Sequence, residues 1–179
     1  MLILFKLVLV PTCDQNLLIT IGSGRFSSLN YVPGYEPWKG YIGSSDYWMA
    51  DTPGIPAMPD KAFVWYHLDL GMLAKVTQVL TQGSGGNGWI KNYFLRFTQD
   101  TTLKRWFGHY DKDGFLKLLP GNVDEDSIVS HQIGPYRARF VRFYPQEYQT
   151  NMAGRFGVRG CPGKSKSVFF MFMLFMKVP

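Results

Sequence analysis

Across residues 63–70 the apolar side chains alternate, with Val64, Tyr66, Leu68 and Leu70 on one side and Phe63, Trp65, His67 and Asp69 on the other. A period of two sets one face of a β-strand against a core, whereas an amphipathic helix repeats its apolar face every 3.6 residues or so. The segments 76–81, 89–97 and 137–144 also read as strands, and no long stretch carries the helical period. Gly71, the glycines between 83 and 88, Asp113-Gly114, Pro120-Gly121 and Gly134-Pro135 punctuate the pattern as turns. Many short strands with Gly/Pro punctuation, no linker and no internal repeat predict one antiparallel all-β sandwich or barrel. The length, 179 residues, suits a single domain.

One segment breaks the rhythm. Residues 27–60 are rich in Pro, Gly and aromatic residues with little periodicity, and long ordered loops on a β scaffold are where binding usually resides. A search for catalytic groups finds little. Gly83-Ser84-Gly85-Gly86-Asn87-Gly88 matches GxGxxG, but a dinucleotide site needs a helix N-terminus next, and Trp89-Ile90-Lys91-Asn92-Tyr93 is strand-like, so the match reads as a glycine-rich hairpin. His67, His109 and His131 lie far apart, and no serine sits in a GxSxG context. No catalytic residue is assigned. Asp124-Glu125-Asp126 offers the one calcium candidate, yet three consecutive acids lack the alternating ligand spacing of a calcium loop and read more simply as a solvated turn.

The net charge of +6 overstates the basic character of the folded part. All 13 acidic residues fall between Cys13 and Cys161 with 15 of the 19 basic ones, while Lys6, Lys164, Lys166 and Lys177 lie in the tails. Arg137, Arg139 and Arg142 are interleaved with apolar residues as on a structural strand. This distribution argues against nucleic acid as a partner. Residues 1–12 read as a signal segment or clipped leader, because the apolar stretch 1–10 has the length of a signal core, about 7–15 residues, without a basic start or small-x-small site. Residues 162–179 form an unassigned tail whose nine-residue apolar run, 168–176, is far short of the roughly 20 residues that span a bilayer. Cys13 and Cys161 bracket the patterned region 13–161 and have no His or Cys neighbours at metal-ligand spacing. They read as a disulfide of an oxidising, extracellular compartment, with two unrelated buried thiols as the alternative.

Six ordered segments then point to a family. Trp65-Tyr66-His67-Leu68-Asp69-Leu70-Gly71, followed by Val76-Thr77-Gln78-Val79-Leu80-Thr81-Gln82-Gly83, resembles the W-aliphatic-x-aliphatic-D-L-G and V-T-x-V-x-T-Q-G signatures of discoidin domains, the C-type domains of coagulation factors five and eight. Trp89-Ile90-Lys91-Asn92-Tyr93, Arg105-Trp106, Gly121-Asn122-Val123-Asp124, Ala138-Arg139-Phe140-Val141-Arg142-Phe143-Tyr144-Pro145 and the stretch 155–161 resemble its later signatures, in order. Two departures stand out: Gly40-Tyr41-Ile42 replaces the family's A-R-L, and Gly157 replaces the Glu of the closing R-x-E-x-x-G-C.

The resemblance implies an antiparallel jelly-roll β-sandwich of about eight strands with three projecting spike loops, here 28–39, 45–60 and 84–88, and a Cys13–Cys161 disulfide tying the ends. It also implies a secreted, non-enzymatic module for cell adhesion or ligand binding, whose partner is a cell-surface glycan, collagen or another extracellular protein. Anionic phospholipid is the alternative ligand. The candidate ligand-binding residues are Tyr31, Val32, Tyr35 and Trp38 on the first spike, Tyr47 and Trp48 on the second, and Ser84 and Asn87 on the third. No metal ligand or cofactor is assigned beyond the calcium candidate. Trp65, Trp89 and Trp106 are expected in the core.

Overall fold

The computed structural model describes residues 13–18, 25–52 and 64–163; the apolar stretches 1–10 and 168–176 and much of the second spike lie outside them. Among the described residues nine strands form: β1 (Gln15–Asn16), β2 (Phe26–Ser28), β3 (Trp48–Met49), β4 (Tyr66–Gln82), β5 (Gly88–Thr98), β6 (Phe107–Gly108), β7 (Leu119–Pro120), β8 (Ile128–Thr150) and β9 (Ala153–Pro162). All strand pairings are antiparallel.

The two longest strands build both layers of the sandwich. The first part of β4 pairs with β2 and with the second half of β8, which also pairs with β5; the last part of β4 pairs with β9 and with the first half of β8. Each long strand therefore crosses from one layer to the other. The crossing needs a kink, and β4 slips register between Asp69 and Ala74, where Gly71 takes φ +73°. A left-handed residue inside a strand is a bulge that bends it, which glycine does without steric cost. Gly71 is thus a bulge and not a turn between separate strands. Gly134-Pro135 likewise lies inside β8.

The alternation read from residues 64–70 is realised: Val64, Tyr66, Leu68 and Leu70 are all buried. Aromatic rings fill the space between layers. Tyr66 of β4 stacks on Phe156 of β9 at 4.4 Å, Phe143 of β8 lies 4.9 Å from Phe156, and Trp48 contacts both Tyr66 and Phe156 at 5.4 and 5.9 Å. At one end Cys13 and Cys161 form the disulfide, with Cα atoms 4.6 Å apart, and β1 pairs with β9 beside it.

Trp65, Trp89 and Trp106 are half-buried and do not belong to the core. The reason is register: Trp65 points opposite to Tyr66, onto the outer face of the first layer, where Trp65 and Trp106 enclose the Arg142 guanidinium at 4.1 and 4.3 Å. Arg139 on the same strand makes a two-bond ion pair with Asp69 at 2.9 and 3.0 Å. Arg139 is thus tied into the sheet by its ion pair and Arg142 by the two indoles, whereas Arg137 is exposed.

His67 sits in this outer cluster, buried against Trp65, Trp106 and Phe140, and its Nδ1 accepts a hydrogen bond from Arg142 Nε at 3.2 Å. Burial, and next the Arg142 charge, hold its pKa down at about 4. An unfolded histidine takes up a proton near pH 6.5, so between these values the unfolded chain binds the extra proton and stability is lost as pH falls. The expected loss is about 3 kcal/mol between pH 6.5 and 4, from the product of shift and about 1.4 kcal/mol per pKa step. Urea unfolding at pH 7, 5.5 and 4 should show it, and His67→Gln should flatten it; an unchanged slope in that variant contradicts the assignment.

Candidate functional site

The first spike is held by its own backbone. Val32 N–H donates to Met49 O and Tyr35 N–H to Val32 O, both at 2.9 Å, while Met49 N–H returns to Tyr35 O. A short 3-10 turn at Pro37–Lys39 follows, and Pro37 at its start pre-sets the backbone. The core pins this turn directly: the fully buried Tyr66 hydroxyl lies 2.8 Å from the carbonyls of both Pro37 and Gly40 and shares its proton between them. Gly40 is required here, since a Cβ would stand 2.6 Å from Trp48 Cβ.

This framework leaves two rings outside. Tyr31 and Trp38 are 42% and 41% exposed and pair edge-to-face with centroids 6.5 Å apart. Behind them Tyr35 stacks on Tyr47 at 4.8 Å, and the buried Tyr47 hydroxyl accepts a hydrogen bond from Asn87 Nδ2 on the third spike. Burial, then the Tyr35 hydroxyl, push the Tyr47 phenol well up, so it stays protonated. Asn151, in the turn between β8 and β9, donates to Asn87 O at 2.9 Å. Four loops therefore meet on one face.

The one lysine of the first spike is committed to two carboxylates. Lys39 Nζ donates to Gly34 O at 2.6 Å and lies 3.4 and 3.7 Å from Glu36 and Asp46. The Glu36 carboxyl is held below the usual range by its own and the Gly34 backbone N–H, with Lys39 adding to the effect.

The structure thus brings together Tyr31, Val32, Tyr35, Trp38 and Asn87, with the buried Tyr47 supporting Tyr35 and Asn87. Two candidates leave the set. Trp48 is completely buried between Tyr66 and Phe156, because β3 pairs with β9 and turns that side chain inward. Ser84 is buried as well, and its hydroxyl accepts the Asn87 N–H at 2.9 Å, shaping the loop and not presenting itself to a ligand. The loop 83–88 is not a hairpin, since the β4 and β5 it joins do not pair with each other; it leads into a strand and no helix. Asp124 spends its carboxylate on the N–H groups of Asp126 and Ser127, which makes the acidic triplet a turn. Among the described residues no cluster of three His, Cys, Asp or Glu could hold a metal. Asn151 and the Glu36–Lys39–Asp46 group were not among the candidates. Only the polar Gln149-Thr150-Asn151 tip could have signalled the former, and nothing in its spacing says that it reaches the third spike.

The loop arrangement and the two-layer sheet find their counterpart in one family. The family model of the F5/8 type C domain matches residues 30–158. The chain belongs to the F5/8 type C, or discoidin, family. Among solved structures, discoidin II of Dictyostelium discoideum superposes with a TM-score of 0.64 at 22% identity, over 80% of this chain and 57% of that one, so the chain spans a little over half of discoidin II. A chitosan-binding module from a Paenibacillus chitosanase/glucanase gives a TM-score of 0.59 at 17% identity, covering 82% of this chain and 99% of the module. The Clostridium perfringens module CpGH89CBM32-5, solved with GalNAc-β-1,3-galactose, gives 0.58 at 16%, covering 76% and 96%. At such identities these likenesses establish the shared fold of this discoidin domain.

The two departures from the family pattern lie side by side. Tyr41 bridges to Phe156, and Ile42 packs so closely on Gly157 that a Cβ there would meet Ile42 at 2.9 Å. The pattern's Arg and Glu are lost together, replaced by an apolar contact at the base of the first spike.

Proposed function

We propose that this discoidin domain binds carbohydrate outside the cell through its loop face, as a ligand-recognition or adhesion module without catalytic activity. One observation carries the reading: Tyr31 and Trp38 present exposed rings on a backbone pinned to the core by Tyr66. An aromatic ring with one face free stacks on the apolar face of a sugar, and a loop already ordered loses little entropy on binding. Asn87, bonded to Tyr47, and Asn151, bonded to Asn87 O, add amide groups to the same loop face for hydrogen bonds to hydroxyls. The chitosan-binding and GalNAc-β-1,3-galactose-bound neighbours support the ligand class, and the disulfide supports an extracellular setting. Glu36 and Asp46 both face Lys39, which fits recognition better than acid–base chemistry.

In the first spike Lys39 is committed to Glu36 and Asp46, which favours a neutral sugar over an anionic headgroup there. Sedimentation with phosphatidylserine and phosphatidylcholine vesicles at low and physiological salt should show no selective binding through the spikes, while neutral sugars bind. Phosphatidylserine binding abolished by Trp38→Ala would instead make the face a membrane site.

A further inference from the structure

Outside the loop face, the outer surface of the first layer carries uncompensated positive charge. Arg142 of β8 stands directly opposite His67 of β4 on one side and Arg96 of β5 on the other. Two like charges facing each other across an antiparallel pair destabilise a sheet. Arg139 on the same strand is neutralised by Asp69, but no described carboxylate lies within 4 Å of Arg142 or Arg96. His67, held neutral, offers Arg142 an acceptor and no charge.

The Arg142 guanidinium is also fixed in direction. Its plane is clamped by Trp65 and Trp106, and its Nε is spent on His67, so its two terminal amino groups are left without a described acceptor. Arg96 lies beside it, 5.4 Å above the Tyr144 ring, and exposed Lys104 and Arg105 extend the charge next to Trp106. A planar, pre-oriented guanidinium fork matches the paired oxygens of an oxyanion.

We propose that this outer sheet face is a second binding site, distinct from the spike loops, for the sulfate or carboxylate groups of an acidic sugar chain. Arg142 is half-buried between two indoles, so a group protruding from a flexible chain reaches it where a flat bilayer does not. The two faces then differ in charge preference: the spikes take neutral sugar and the sheet face takes acidic sugar.

The test is calorimetric titration of the full chain with dextran sulfate, against uncharged dextran, at physiological salt. Dextran sulfate is expected to bind, and Arg96→Gln and Arg142→Lys should each weaken it at least tenfold, the second by keeping the charge and losing the fork. Lys75→Gln removes the same charge from the opposite layer and should leave binding unchanged, as should Trp38→Ala on the spike. Absence of binding at physiological salt, or equal weakening by Lys75→Gln and Arg96→Gln, would overturn the proposal. Loss on Trp38→Ala alone would move the anion to the loop face and overturn it too. Thermal melts identify any variant that fails to fold; Arg96→Gln, on a side chain with no described hydrogen bond or ion pair, keeps the test available if Arg142→Lys does.

Discussion

Trp48→Ala is expected to destabilise the domain by about 3–5 kcal/mol, the range for removing a large aromatic side chain from a packed core. Its indole is fully buried and touches a ring from each layer, Tyr66 and Phe156. The same neighbourhood supports the first spike, because Gly40 backs onto Trp48 Cβ and Tyr66 holds the carbonyls of Pro37 and Gly40. A cavity there loosens the turn that carries Trp38. Ten residues earlier, Trp38→Ala removes a ring that is 41% exposed and loses mainly its edge contact with Tyr31, worth about 0.5–1.5 kcal/mol. Urea unfolding of the two variants separates the roles. A loss below about 1 kcal/mol for Trp48→Ala would place that indole outside the packed core.

Replacing both Cys13 and Cys161 by serine is expected to cost about 2–5 kcal/mol. The bond joins residues 148 apart, so it withdraws much of the conformational freedom of the unfolded chain, and it does so where β1 pairs with β9 and Thr77 Oγ1 donates to Cys13 O at 2.9 Å. Because much of the effect acts through the unfolded state, the dependence of unfolding free energy on urea should steepen as that state expands, while the midpoint falls. An unchanged midpoint would mean that the native termini are held by strand pairing and packing alone.

The sandwich was largely legible in the sequence because β4, β5 and β8 obey the period of two over much of their length. The glycines were harder. Gly71 and Gly134 have the composition of turns but sit inside long strands, since a bulge and a turn ask for the same left-handed backbone and only strand pairing distinguishes them. The tryptophans divided in the same way. Trp65 and Trp106 stand in signature positions, yet they lie on the outer face and enclose Arg142 because the alternation that buries Tyr66 turns Trp65 outward. In the aperiodic 27–60 segment nothing local separates Trp38 from Trp48; the pairing of β3 with β9 decides it. Asn151 joins the site through a contact 64 residues away in sequence, which spacing along the chain does not encode.

The most direct test is titration of the isotope-labelled protein with chitosan oligosaccharide and with GalNAc-β-1,3-galactose, followed by NMR, for the wild type and for Tyr31→Ala/Trp38→Ala. The account predicts that at least one neutral sugar perturbs the Trp38 indole N–H and the Asn87 and Asn151 side-chain amides. It predicts also that the double variant keeps its fold and loses that binding at least tenfold. Sugar binding that survives in the double variant, with shifts confined to another surface, would contradict it.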